Sequence, residues 1–474
     1  MSDPARPDAD LLATVSDHAD RWFAGGSAPG FAWGLFRDGK LIGTGMLGHA
    51  GADGAPPTEH TAFRIASITK SFTAATALAL RDRGQLDLDA PVTDLLDWLV
   101  GLDVPDGAAP PTVRMLLSMS GGLTKDDPWA DRLEALGDDE FRAMINSGVR
   151  FGAWPGTRYA YSNLGYALVG QAIEAAAGRP FPAVARELII DPLGLDRTGF
   201  DVRMGDPIAT GYARTGRQWE PQPHTAPGAF SPIGGLFSTV VDLAAWAGWL
   251  TAAWRPDRFD DDAPLSAATR REMQQIVRAY PPEPYEEHLW GKGYGYGLVI
   301  EESGRGRTVS HSGGYPGFGS HLRWDPASGL GIVGFGNARY ASPARFCAEA
   351  LAAVVPDAPE VVPWPETLAA ADRVIAAIGA GDLGALAVER DALSPNLVQD
   401  GTLAERQAEL VSAIDFLGGL LGGEPVGAAS DDPSKRSWDL PAGRGVLRCS
   451  VSMNPRSPAQ LQQLVIKPVL RADL

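Results

Sequence analysis

Phe63–Phe72 reads FRIASITKSF, a serine and a lysine three residues apart in a run that otherwise opens an apolar helix. Residues three apart share a helix face, so the Ser67 hydroxyl and the Lys70 amine are predicted to be neighbours. An amine among apolar side chains loses hydration, which favours its neutral form, and a neutral amine can take the proton of a serine hydroxyl. The spacing is therefore that of an activated nucleophile. A solvated helix surface can show the same spacing by chance, so the sequence on either side has to decide.

Upstream, Leu11 to Phe23 has the apolar period of a helix, and GFAWGLFRDGKLIGTGMLG follows as two strand-like runs joined at Arg37-Asp38-Gly39-Lys40. Asp-Gly between apolar runs signals a hairpin. Downstream, helical patterning dominates from about Ile65 to Leu250. Strand character returns at Tyr294–Glu302, Arg307–Gly314, Ser320–Pro326 and Gly329–Asn337, with glycine-rich turns between. A lone hairpin is not stable, so the first one is predicted to join the late strands in one antiparallel sheet covered by helices on both faces.

Four prolines within ten residues (Pro356, Pro359, Pro363, Pro365) block regular structure and mark a boundary. The predicted organisation is a domain over 1–354, a proline-rich linker over 355–366, and a small α+β accessory domain over 367–474. The last has two amphipathic helices, Leu368–Ile378 and Leu403–Leu421, before strand-like GVLRCSVSM and QLQQLVIKPVL.

The chain has 474 residues and a net charge of −17, from 41 Lys and Arg against 58 Asp and Glu, which repels phosphate backbones and anionic membrane surfaces. Neither nucleic acid nor membrane is an expected partner. Just six of the basic residues are lysines, so a lysine inside an apolar run is conspicuous. The N-terminal residues are acidic where a signal peptide is basic, and no segment approaches the ~18 apolar residues of a membrane helix, which predicts a cytoplasmic protein. Cys347 and Cys449 stand far apart and are expected to be buried and reduced. The seven histidines lack paired ligand spacing, so neither a metal nor another cofactor is expected.

Two further fragments carry chemistry. In PGTRYAYSNLGYALVG, Tyr161 and Asn163 flank Ser162 just before a new apolar helix, and a turn there would bring both polar side chains to one place. In VSHSGG, a polar strand segment through His311 and Ser312 ends on Gly313 and Gly314, which let a substrate approach the backbone. Tyr294 and Tyr296 alternate with glycines nearby and read equally as pocket lining or as an aromatic strand pair.

With these three fragments in this order, the chain resembles the serine β-lactamase and penicillin-recognising DD-peptidase superfamily, in particular its class C, esterase and D-aminopeptidase branch. Ser67 and Lys70 match the nucleophile motif, Tyr161 and Asn163 the Tyr-x-Asn motif, and His311, Ser312 and Gly313 the third motif in its His-x-Gly form. FRIASITKSFTA, WPGTRYAYSNLGYALVGQAIE, DPLGLDRTGF, IGGLFSTVVDLAAW and SHSGGYPGFGSHLRWDP extend the likeness over roughly Leu11 to Val355. The resemblance implies an α+β fold, a β-lactamase-like antiparallel sheet flanked by helices with a helical subdomain. It implies a serine hydrolase that acylates Ser67 with a small ester, amide or D-residue peptide.

On that resemblance Ser67, Lys70 and Tyr161 are the catalytic residues, and Asn163, His311, Ser312, Gly313 and Gly314 bind substrate. The backbone N–H groups of Ser67 and Gly314 would form the oxyanion hole. Lys70 and Tyr161 have ordinary pKa values of ~10.4 and ~10, either is a candidate base, and the pattern of residues does not choose between them. His311 would face the leaving group or a substrate carboxylate. A largely neutral imidazole suits the carboxylate of a β-lactam less well than a lysine, which predicts slow penicillin hydrolysis. An acyltransferase of secondary metabolism would use the same acyl-enzyme, and a catalytically silent binding protein would keep the same fold. The C-terminal domain carries no catalytic motif and is expected to pack on the core or to form a homo-oligomer.

Overall fold

The computed structural model describes residues 7–51, 53–201, 207–255, 264–283, 286, 288–356 and 361–471. The chain divides into two units, Met1–Ala358 and Pro359–Leu474. In the first unit α1 (Asp8–Ala24) precedes the hairpin β1 (Gly30–Arg37) and β2 (Lys40–Gly48). Asp38 and Gly39 both take positive φ, 50° and 79°, the conformation a two-residue turn needs to match the right-handed strand twist. Three longer helices follow, α2 (Thr69–Asp82), α3 (Asn163–Ala177) and α4 (Val240–Ala252). Then come β3 (Arg278–Ala279), β4 (Leu289–Tyr294), β5 (Val299–Ser303), β6 (Gly306–Tyr315), β7 (Phe318–Trp324), β8 (Leu330–Gly336) and α5 (Ala344–Val354).

The eight strands form one sheet in the order β2-β1-β8-β7-β6-β5-β4-β3, every neighbouring pair antiparallel. The early hairpin joins the late strands through β1 and β8, from Phe31↔Gly336 to Arg37↔Leu330. Side chains alternate along β1: Phe31, Trp33 and Leu35 pack with Leu11, Val15 and Ala19 of α1 and Phe346 and Leu351 of α5. Ala32 and Phe36 face the other way, into the core shared with α2 and α4, where the Phe72 and Trp246 rings stack at 4.0 Å. A strand buried on both faces is apolar throughout, which is why GFAWGLF shows no polar alternation.

Two local readings change. Tyr294–Glu302 is not one strand: β4 and β5 are separated by a turn in which Gly297 has φ +70°. A Cβ on Gly297 would lie 2.5 Å from the Lys70 carbonyl oxygen, so the glycine lets this turn press on the backbone of α2. Within the stretch read as helical, Gly211–Thr215 and Gln218–Gln222 form a hairpin closed over Gly216, φ +62°.

Residues 357–360 of the predicted linker lie outside the described residues, and its last two positions, Pro365 and Glu366, already belong to α6 (Pro365–Ala380). Proline is accepted there because the first helical N–H has no intrahelical partner. The second unit continues with α7 (Leu403–Phe416), opened by a Thr402–Glu405 capping box. Its sheet has the order β9 (Val426–Ala429), β10 (Lys435–Ala442), β11 (Gly445–Met453), β12 (Leu461–Leu470), with its own core around Val374, Leu410, Trp438 and Val451. Cys347 and Cys449 are buried and free. Among the described residues no helix is long and apolar enough to cross a membrane.

Candidate active site

The nucleophile turn is tied down on both sides before α2 begins. Phe63 and Arg64 pair with Ser238 and Phe237, the Ile65 N–H donates to the Leu236 carbonyl (2.9 Å), and the Ile65 carbonyl accepts from Ser320 Oγ of β7 (2.7 Å). Ala66 then takes φ +47°, a left-handed conformation that costs an alanine roughly 1 kcal/mol and persists only where the surroundings dictate it. One tight turn, Ala66–Ile68, leads into α2. Lys70 is fully buried, its Nζ 2.9 Å from Ser67 Oγ and 2.8 Å from the Ile233 carbonyl oxygen. A carbonyl only accepts, so one amine hydrogen is committed to Ile233, and the lone pair of a neutral amine is free for the serine hydroxyl.

Tyr161 and Asn163 reach the same place because α3 starts between them. Ser162 is the N-cap, its Oγ accepting from the Gly165 N–H (3.1 Å). Asp126 reinforces the start, its carboxylate accepting from the N–H groups of Asn163 (2.6 Å) and Leu164 (2.9 Å), where the positive end of the helix dipole favours an anion. Tyr161 hydrogen-bonds Ser67, and Lys70 Nζ lies 5.0 Å from its ring centroid. The Asn163 amide donates to Asp127 Oδ1 (3.2 Å), while its own Oδ1 is buried with no hydrogen-bond partner among the described residues.

Electrostatics separate the two candidate bases. Burial brings Lys70 down from its ordinary 10.5 to about 8, against the opposing charges of Asp131, Asp127 and Asp126. Burial and the Asp127 charge push Tyr161 well above its ordinary 10, although its hydrogen bond with Ser67 works the other way. Asp131 is itself raised to about 6 by burial, and Tyr340 donates to it at 3.1 Å. Sequence patterning missed these three aspartates, because the stretch from Lys125 to Asp131 looks like a solvated acidic loop.

The third motif lies on β6, whose pairing with β5 ends at Val299↔Ser310, while its pairing with β7 continues to Tyr315↔Phe318. The edge of residues 311–315 left open by β5 lies beside the nucleophile turn. A Cβ on Gly313 would be 2.2 Å from the Ile65 carbonyl oxygen, so this glycine is required by backbone meeting backbone. Gly314 lies under the Tyr340 ring, 2.6 Å from the position of an added Cβ.

His311 does not offer a polar atom to a substrate. Its Nδ1 is 2.6 Å from the Ser312 carbonyl, which forces that nitrogen to be the donor, and its Nε2 accepts from the Tyr294 hydroxyl at 2.9 Å. Burial, with the nearby Lys70 charge, holds the imidazole down at about 3, so it is neutral. The reading that pointed it at a leaving group or carboxylate overlooked Tyr294, which lies on β4, too far along the chain for spacing to reveal. Tyr296 accepts from Arg114 (2.7 Å) instead. Ser312, on the opposite strand face, is exposed, its Oγ 2.8 Å from His321 Nδ1.

The geometry is a serine, an amine and a phenol in contact beneath a glycine-bearing strand edge, and a family profile described as Beta-lactamase matches residues 19–355. The chain belongs to the β-lactamase family. Its relatives include Esterase EstB of Burkholderia gladioli, 29% identical over 307 residues, which cover 55% of this chain and 72% of that protein. A D-aminopeptidase of Gluconobacter oxydans is 27% identical over 320 residues, 64% of this chain and 55% of that one. Among solved structures, the octameric penicillin-binding protein homologue from Pyrococcus abyssi aligns over 94% of this chain and 96% of its own, with a TM-score of 0.63 and 21% identity, a likeness of fold. The chain is a hydrolase of the β-lactamase type. Among the described residues no group of three or more His, Cys, Asp or Glu side chains could hold a metal ion.

Proposed function

We propose that the protein cleaves small carboxyl esters and amides, D-residue amides included, through an acyl-enzyme on Ser67. The supporting observation is the 2.9 Å contact between Ser67 Oγ and a fully buried Lys70 amine whose pKa is brought down to about 8. Lys70 takes the hydroxyl proton as the Ser67 Oγ–carbon bond forms. Negative charge on the carbonyl oxygen is received by the Ser67 and Gly314 N–H groups. The carbon–leaving-group bond then breaks and the leaving group departs with the proton from Lys70. Water attacks the ester in the second half, again giving its proton to Lys70; the Ser67 Oγ–carbon bond then breaks, Oγ takes that proton back, and the acid is released.

Tyr161 keeps its proton at neutral pH and acts as the hydrogen-bond partner that orients Ser67. The unpartnered Asn163 Oδ1 suits a substrate amide N–H. His311, neutral and internally bonded, stiffens the strand and supplies no cation there for a β-lactam carboxylate. The esterase and D-aminopeptidase names of two relatives agree with an ester or amide bond as the target.

Residues 1–354 form the hydrolase domain in this reading, and 367–474 an accessory domain through which copies of the chain associate; the Pyrococcus abyssi homologue is octameric. A screen of p-nitrophenyl esters, D-amino acid amides and benzylpenicillin tests the substrate class. Ester or D-amide turnover that vanishes in Ser67→Ala is expected, and penicillin turnover exceeding both refutes it.

A further inference from the structure

His321 lies directly opposite Ser312 in the β6–β7 ladder, so the two side chains share a sheet face, and Nδ1 sits 2.8 Å from the serine Oγ. The imidazole is 4% exposed, and its other nitrogen, Nε2, is buried with no hydrogen-bond partner among the described residues. That asymmetry selects a tautomer. A buried N–H left without an acceptor is rarer and more costly than a buried lone pair left without a donor. The proton therefore belongs on Nδ1. Burial, reinforced by the charge of Arg323, pushes the ring's pKa well down and excludes the doubly protonated form. With Nδ1–H donating to Ser312 Oγ, the hydroxyl's own hydrogen is turned away from His321, toward the exposed side of the strand.

Ser312 is two residues before Gly314 on the same face, roughly 7 Å along the strand from the oxyanion-hole candidate. Its neighbour Gly313 abuts the backbone beside Ser67. The carboxylates Asp126, Asp127 and Asp131 act on Lys70 beside the nucleophile and repel an anionic group. We infer that His321 is a positioning residue that fixes the Ser312 hydroxyl as a hydrogen-bond donor, and that the group received there is a neutral carbonyl oxygen of the substrate, about 7 Å from the scissile carbonyl oxygen. The inference rests on the acyl-enzyme reading for its substrate, but not for the tautomer.

Two measurements test it. In the native enzyme labelled with ¹⁵N-histidine, the His321 signals, assigned by their loss in His321→Asn, should show a protonated Nδ1 and an unprotonated Nε2; the reverse tautomer overturns the inference whether or not Ser67 is the nucleophile. Kinetically, two ester pairs differ by one carboxamide placed to reach that distance: 4-acetoxybutanamide against pentyl acetate on the alcohol side, and propyl glutaramate against propyl hexanoate on the acyl side. The preference in kcat/KM for the amide-bearing ester of one pair should fall about tenfold in His321→Leu, the size of one lost hydrogen bond of ordinary strength. The loss should lie in KM, and His321→Asn, whose amide N–H can replace Nδ1–H, should restore it. An unchanged preference in both pairs for folded His321→Leu overturns the inference. Persistence of activity in Ser67→Ala would instead sink the acyl-enzyme reading and leave the tautomer result standing.

Discussion

If Lys70 is the base, the rate of Ser67 acylation follows the fraction of neutral amine. Full burial lowers its pKa from 10.5 to about 8, a penalty of about 3 kcal/mol against the buried ammonium. The neutral fraction is then roughly 1% at pH 6, roughly 10% at pH 7, half near pH 8 and nearly complete above pH 9. The amine acts when deprotonated, so activity rises with pH: about tenfold from 6 to 7, about fivefold from 7 to 8, then a plateau. The perturbation is a pair of substitutions, Lys70→Ala and Tyr161→Phe, and the assay is the second-order rate of Ser67 labelling by a fluorophosphonate, followed from pH 5.5 to 9.5. Lys70→Ala should abolish the alkaline rise. Tyr161→Phe loses the hydrogen bond that orients Ser67, so labelling should fall roughly 10²-fold with the midpoint still near 8. A native profile flat between pH 6 and 9 would refute the reasoning. So would an alkaline rise that survives Lys70→Ala and disappears in Tyr161→Phe.

Asp131→Asn removes a negative neighbour that holds the proton on Lys70, so the labelling midpoint should move to lower pH; a shift upward contradicts the electrostatics. Gly313→Ala drives a Cβ into the Ile65 carbonyl beside the nucleophile, and a displacement of that kind should slow labelling by about 10²-fold, where an unchanged rate would show that β6 and the nucleophile turn are not in contact. Asp126→Ala removes the carboxylate that caps α3 and should cost about 1 kcal/mol in urea unfolding, with no loss if the cap is dispensable. Removal of Pro359–Leu474 leaves every proposed catalytic side chain in place, so labelling should persist while light scattering reports a smaller assembly; unchanged size and activity would end the association role proposed for that unit.

Much of this was legible in the sequence because it depends on local spacing. Ser67 and Lys70 meet across one helical turn, and Tyr161 and Asn163 bracket a cap whose serine is itself in the motif. Gly313 reads in the sequence as room for a substrate, whereas it makes room for the distant Ile65 backbone. The Asp38-Gly39 turn set the first hairpin, and apolar burial on both faces joined it to β8. What escaped depends on contacts between distant segments. Tyr294 is 17 residues before the histidine it donates to, and His321 meets Ser312 only through strand register. The acidic loop carrying Asp126 and Asp131 is called to the site by α3 and Lys70, which composition cannot reveal. Tyr294–Glu302 has the propensity of one continuous strand, and only the proximity of α2 explains the break at Gly297. The undecided choice between Lys70 and Tyr161 had the same origin, since it is burial that pushes their proton affinities in opposite directions, while the neighbouring carboxylates raise both.

The most direct measurement is the intact mass of protein quenched in acid during turnover of a slow ester, followed by peptide mapping. The account predicts a mass increase equal to one acyl group, carried by the peptide containing Ser67 and absent from Ser67→Ala. Turnover with no acylated species, or an acyl group mapped to any other side chain, would contradict it.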